Sequence, residues 1–239
     1  MSADNTYTID IRFKTRVQRS PRVLQMAEAF GIGLEDKDFV VFDKLKLEIR
    51  PGDIVYITGQ SGGGKSVLLR ELASQMLTRN RSVINLDAVA FQECALIDQI
   101  GKDTNDAVRL MGLAGINDAY LWVRKPSELS DGQRYRFRLA KAMEANADVW
   151  VADEFLAVLD RTAAKVIAFS LQKAARRVGA TVLVATTHTD MVADLYPDLM
   201  VEKRFREKVR VEVFAEAGEQ AANAVMTREE INQLLIKGI

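Results

Sequence analysis

Hydrophobic and polar positions follow two rhythms along the chain. Near the start, Tyr7, Ile9, Ile11 and Phe13 alternate with Thr8, Asp10, Arg12 and Lys14, the period-two pattern of a strand with one buried face. The pattern returns at Leu45, Leu47 and Ile49, and Pro51-Gly52-Asp53 then makes a turn. These N-terminal strands read as antiparallel, with their pairing left open. From residue 53 the rhythm changes. Short apolar runs at residues 54–57, 83–86, 149–152 and 182–185 read as buried strands. Helical spacing places Leu68, Leu69, Leu72 and Met76 on one face of a helix over about 65–78. It likewise places Ile167, Leu171, Ala174 and Val178 on one side of a helix over about 163–178, which Gly179 stops. Strands alternating with helices predict an α/β fold with a mostly parallel sheet covered on both faces.

The stretch over about 93–128 shows no strand pattern. It reads as short helices broken at Gly101, Gly112 and Gly115, a helical lobe inserted into the α/β core. Residues 208–214 alternate again as a strand, and Thr227 with Glu230 forms a capping box for a terminal helix.

Composition narrows the setting. The chain has 239 residues, with 33 basic and 33 acidic side chains, so overall charge favours neither a nucleic-acid nor a membrane partner. Cys94 is the only cysteine, which excludes an internal disulfide and fits a reducing, cytoplasmic compartment. The polar start does not resemble a signal peptide. No apolar run reaches the ~18–20 residues that span a bilayer, so direct membrane insertion is not expected.

Three constellations carry chemistry. Gly59-Gln60-Ser61-Gly62-Gly63-Gly64-Lys65-Ser66 matches the phosphate-loop pattern in full and sits between a predicted strand and a predicted helix. Glycines let backbone N–H groups close around phosphate oxygens, and the helix start adds its positive dipole end. Lys65 is placed on the β- and γ-phosphates, Ser66 on Mg²⁺, and Val67 among the cofactor-binding residues that follow. Second, the strand before Asp153-Glu154 is apolar and ends in two acids. A Mg²⁺-holding Asp belongs at the end of a central strand beside the phosphate-loop strand. Asp153 is the expected metal residue, and Glu154 the base that polarises the attacking water. Third, His188, the only histidine, closes Ala185-Thr186-Thr187-His188 at the end of another buried strand. An imidazole there can hydrogen-bond a γ-phosphate and sense its loss.

Leu129-Ser130-Asp131-Gly132-Gln133, with the helix-like run 134–142 after it, resembles the signature of the ATP-binding-cassette (ABC) ATPases, usually Leu-Ser-Gly-Gly-Gln. The phosphate loop, Gln92, the signature, the acidic strand end, Leu159-Asp160 and His188 also follow that family's order, and the resemblance covers about residues 40–203. It implies a P-loop ABC ATPase core over 53–92 and 142–239. An antiparallel β part over about 1–52 and a helical part over about 93–141 would complete a single domain over 1–239. It further implies that Mg·ATP is hydrolysed between two copies arranged head to tail. Each ATP would lie on the phosphate loop of one copy, under Ser130, Gly132 and Gln133 of the other. Gln92 would reach Mg²⁺ or the attacking water, and Asp160 would act across the interface. Phe39 is the candidate for stacking on adenine, with a core aromatic as the competing reading. Asp131 departs from the pattern by placing a carboxylate near the γ-phosphate, and Phe155-Leu156-Ala157-Val158 replaces the usual Pro-Thr-Ser-Ala.

Residues 153–188 resemble the ATPase half of proteins that fuse an ABC ATPase to a predicted N-acetyltransferase domain, which implies a separate acetyltransferase-like partner. The alternative is the ATPase subunit of a membrane transporter, for which the 36 residues between Gln92 and Leu129 make a short lobe. A third reading, association with nucleic acid, draws on two basic runs. One is Arg12, Lys14, Arg16, Arg19 and Arg22; the other is Lys203, Arg204, Arg206, Lys208 and Arg210. Both also read as solvated strand faces.

Overall fold

The computed structural model describes residues 5–157, 159–204 and 207–214. The terminal helix expected around Thr227 and Glu230, together with Val158 and Arg206, lies outside them. The chain forms two compact units that divide between Glu48 and Ile49.

In the first unit, β1 (Thr6–Thr15) and β2 (Lys37–Glu48) pair antiparallel, Thr6 opposite Glu48 and Thr15 opposite Lys37. The alternation correctly marks Tyr7 and Ile9 as buried, but Phe13 is 48% exposed. The register shifts between Ile9 and Ile11 and again between Ile11 and Arg12, each time with an extra residue on β2, and from Arg12 to Thr15 both faces of β1 are exposed. Period two marked only the last part of β2, which begins eight residues before Leu45. Between the strands lies α1 (Pro21–Phe30), which the sequence reading missed. Ser20 caps it by accepting from Val23 N–H, Pro21 sits in its first turn, and Gly31 ends it in the left-handed conformation at φ 62°.

The second unit holds a six-stranded sheet in the order β4 (Val83–Asn85), β5 (Val149–Ala152), β6 (Thr181–Ala185), β3 (Ile54–Thr58), β7 (Leu199–Glu202), β8 (Arg210–Val213). The first five pair parallel, and β8 runs antiparallel to β7. Every residue of β3, β5 and β6 is buried, as expected of parallel strands covered on both faces. The covering helices include α2 (Lys65–Thr78), with Leu68, Leu69, Leu72 and Met76 buried, and α6 (Arg161–Val178), with Ile167, Leu171 and Ala174 buried. Val178, assigned to the inner face, is exposed in the last turn, where Gly179 turns left-handed at φ 70° and frees the chain.

Residues 96–128 contain α3 (Thr104–Leu113), α4 (Ala119–Trp122) and two single turns of 3-10 helix, with no strand. Gly101 and Gly115 are breaks at positive φ. Gly112 is not; it lies within α3. The helix α5 (Asp131–Glu144) follows, and α7 (Val192–Leu195) precedes β7. No helix among the described residues is long and apolar enough to cross a membrane.

Candidate functional site

β3 ends at Thr58, and residues 59–64 carry the chain from its carboxyl end into α2. The glycines have distinct causes. A Cβ on Gly59 would lie 2.0 Å from the carbonyl oxygen of Lys203, and one on Gly63 would lie 2.8 Å from the same atom. The backbone after β7 therefore packs onto the loop too closely for any side chain. Gly62 and Gly64 are instead needed for their positive φ of 74° and 98°. Lys203 is correspondingly buried, and its ammonium donates to the Glu207 carbonyl at 2.6 Å. The reading of this residue as part of a solvated basic face is thus corrected.

The loop folds Lys65 back over itself. Its ammonium donates to the carbonyls of Gly59 at 2.9 Å and Gln60 at 2.8 Å. Burial lowers its pKa from the ordinary 10.5, opposed by the carboxylates of Asp153 and Glu154. Beside it, the Ser66 hydroxyl donates to Asp153 Oδ1 at 2.8 Å.

Asp153 and Glu154 leave the carboxyl end of β5. One expectation is corrected here: β5 is not adjacent to the phosphate-loop strand. β6 lies between them, and the acids reach Ser66 because α2 packs over β5 and β6. The turn is tied down from several sides. Asp153 N–H donates to Asp87 Oδ2 at 2.9 Å, Glu154 N–H to Asp153 Oδ1 at 3.0 Å, and Phe155 N–H to the Ala185 carbonyl at 2.8 Å. Glu154 and Leu156 hold φ of 50° and 62°, left-handed values that cost a side-chain-bearing residue about 1–2 kcal/mol. Phe155 is buried edge-on against Tyr135 of α5, ring centroids 5.7 Å apart.

Ser61, Gly62, Gly64, Lys65, Ser66, Val67, Asp153 and Glu154 thus line a single cleft of about 410 Å³, completed by Ala157, Ala185, Thr186 and Thr187. Gln92 and His188 do not line it. His188 follows two residues behind Thr186, its carbonyl held by the hydroxyls of Tyr56 and, at 2.8 Å, Thr58. Gln92 is exposed, and the Gln99 side chain brackets its backbone with two hydrogen bonds of 3.0 Å. Ser130 caps α5 in a reciprocal box with Gln133: the Ser130 hydroxyl accepts from Gln133 N–H, and the Gln133 side chain accepts from Ser130 N–H. A Cβ on Gly132 would meet only Ile167 Cδ1, at 3.9 Å, so packing within the chain does not require that glycine. Asp131 forms an ion pair with Arg134 at 2.5 Å. Asp160 caps α6, accepting from Thr162 and Ala163 N–H. Phe39 lies opposite Phe13 on the ribbon of the first unit and is 42% exposed, so the core-aromatic reading is corrected.

Sequence reasoning passed over Asp87. Its only signal is its place just beyond a short strand, Asn85 capping its N–H at 2.9 Å. Burial raises its carboxyl pKa from the usual 3.8, and the charges of Asp153 and Glu154 add to the rise.

The donor set suits a hard divalent cation. A hydroxyl and a carboxylate converge beside a phosphate-binding loop, and Mg²⁺ is held by one or two carboxylates together with phosphate oxygens rather than by a protein cage.

Comparisons with known proteins agree with this geometry. No family model matches the chain. It is 32% identical over 202 residues to the aliphatic sulfonates import ATP-binding protein SsuB 2 of Rhodococcus jostii, covering 77% of this chain and 78% of the relative. It is 28% identical over 186 residues to the cytochrome c biogenesis ATP-binding export protein CcmA of Aliivibrio fischeri, covering 65% and 88%. Among solved structures, the dimeric structure of MJ0796, a bacterial ABC transporter cassette, superposes with a TM-score of 0.58 at 17% identity, covering 87% of this chain and 98% of that one. With the phosphate loop, acidic turn and signature helix in place, the likeness to SsuB 2 shows that the chain belongs to the ATP-binding-cassette family and is an ABC-type ATPase.

Proposed function

We propose that the chain is the ATP-hydrolysing subunit of a membrane transporter, working as a head-to-tail pair that closes on two Mg·ATP. The observation that carries the ATPase part is the convergence of Lys65, Ser66, Asp153 and Glu154 on one cleft. The transporter part is supported by the relatives, which are named as import or export ATP-binding proteins.

In this reading the backbone of residues 59–67 wraps the phosphates. Lys65 exchanges its two carbonyl partners for β- and γ-phosphate oxygens, so its charge is held in place before nucleotide arrives. Ser66 and Asp153 would hold Mg²⁺, which when bound neutralises phosphate charge. Glu154 takes a proton from the attacking water. His188 senses the γ-phosphate from the adjoining loop, and Gln92 reports occupancy to the helical lobe. Ser130, Gly132 and Gln133 approach the γ-phosphate of the partner's nucleotide, and Asp160 acts across the interface. Arg134 offsets the Asp131 carboxylate, which reduces its repulsion of that phosphate. The competing acetyltransferase-like partner rests on the resemblance of residues 153–188 alone.

Glu154→Gln tests the pair: with Mg·ATP it accumulates as a dimer on a sizing column, and a variant that stays monomeric removes the head-to-tail reading. Lys65→Ala abolishes nucleotide affinity, whereas retained tight binding rejects the phosphate-loop assignment. Co-expression with neighbouring genes, followed by fractionation, tests the transporter. Recovery only in soluble fractions with an enzyme partner counts against it.

A further inference from the structure

Unit one carries a run of cations, from the end of β1 into α1, that the nucleotide site does not use. Residues 11–27 hold five cations and no acid. Arg12 is spent on Asp10 and Asp43. Lys14, Arg16, Arg19 and Arg22 are exposed and make no ion pair among the described residues. They lead into α1, which has no buried residue although its sequence is amphipathic. Met26 and Phe30, one helical turn apart on the same face, are 53% and 69% exposed; Leu24, on another face of the helix, and Ile32, just past its end, are 46% and 56% exposed. This helix leaves large apolar side chains in water, with Arg22 one turn before Met26, Arg19 just ahead of the helix, Arg16 and Lys14 further back along the chain, and Glu28 as the helix's one acid.

We infer that this segment docks on an anionic lipid bilayer. Charge complementarity selects the occupant. A second copy seated on the same face would bring the two sets of cations together. A nucleic-acid backbone would answer the cations but leave Met26 and Phe30 in water. An anionic bilayer satisfies both groups: the cations face headgroups, while the apolar side chains of a short amphipathic helix enter the acyl boundary. The net charge of zero conceals this, because the acids of the first unit lie mostly beyond residue 27. The inference uses no residue of the nucleotide site and stands whether or not the chain serves a transporter.

The test uses the purified full chain and protein-free vesicles, of phosphatidylcholine alone or mixed with phosphatidylglycerol, scored by flotation. The chain floats with the anionic vesicles only, and less so as salt rises. Arg19→Glu with Arg22→Glu lowers partitioning on the order of twentyfold or more, at about fivefold for each cation removed. Met26→Ser with Phe30→Ser also releases the chain while keeping all the cations. Both variants keep the parent's ATPase rate and melting temperature; should one fail to fold, the other decides. Failure to prefer anionic vesicles overturns the inference. So does full binding by the serine pair, or retention on double-stranded DNA that the serine pair leaves unchanged, since either would mark a plain polyanion site. Loss of vesicle binding with ATP turnover intact separates this inference from the catalytic reading.

Discussion

Ser66 Oγ lies 2.8 Å from Asp153 Oδ1 although 87 residues separate the two in sequence. One stands in the first turn of α2 and the other just past β5, so the contact joins the phosphate loop to the acidic turn. A single side chain tests the link. Asp153→Asn keeps the size and an acceptor oxygen but loses the charge, so turnover falls about a hundredfold or more. Binding of a fluorescent ATP analogue without Mg²⁺ stays within a few-fold of the parent. If turnover survives, Asp153 is a packing residue only.

Asp87 acts through this turn. Its carboxylate receives the Asp153 N–H and fixes the backbone from which Glu154 projects at positive φ. Asp87→Ala removes a charge-assisted hydrogen bond of about 1.5 kcal/mol, and kcat falls about tenfold with KM little changed. Asp87→Asn retains an acceptor oxygen and recovers most of the rate. Steady-state kinetics of the two variants side by side checks the claim. Equal loss in both would mean that the charge, and not the hydrogen bond, matters.

Much of this was legible in the chain because the signals are local. A glycine loop between an apolar run and a helical period identifies Lys65 and Ser66 without any tertiary knowledge, and α2 occupies the span its spacing predicts. What stayed hidden depends on contacts distant in sequence. The insertion of β6 between β3 and β5 is a matter of strand order, which no window of residues records. Asp87 looks like a loop acid until β4 is placed beside β5. Lys203 reads as one more surface cation, yet its backbone is what forces Gly59 and Gly63 to be glycine. α1 is the exception, since its signals are local: Ser20, Pro21 and Gly31 mark its ends and its sequence is amphipathic.

The glycines differ in a way that melting experiments resolve. At Gly59, φ is 132° and a Cβ would sit 2.0 Å from a backbone oxygen that cannot move aside without shifting β7. Gly59→Ala costs about 3 kcal/mol or more, which lowers the melting temperature by about 6–12 °C in a chain of this size. At Gly62, φ is 74° but nothing lies within 4 Å of a Cβ. Gly62→Ala costs only the left-handed penalty of about 1–2 kcal/mol. Equal shifts for the two variants would refute the close approach of Lys203.

Acid should expose a staple between β4 and β5. Asp148 Oδ2 accepts from both the N–H and the hydroxyl of Ser82 at 2.8 Å. These hydrogen bonds, aided by Arg81, hold its carboxyl below the ordinary 3.8. A depressed carboxyl contributes stability that is present above its unfolded pKa and lost as pH falls through its folded one. Asp148→Ala therefore destabilises the chain at pH 7 by about 0.5–1 kcal/mol, discounted because the carboxylate is largely solvated. The gap in melting temperature, about 1–4 °C, closes as the pH is lowered to below the usual carboxylate range. A gap that persists undiminished in acid would locate the effect in side-chain packing instead of in the charge.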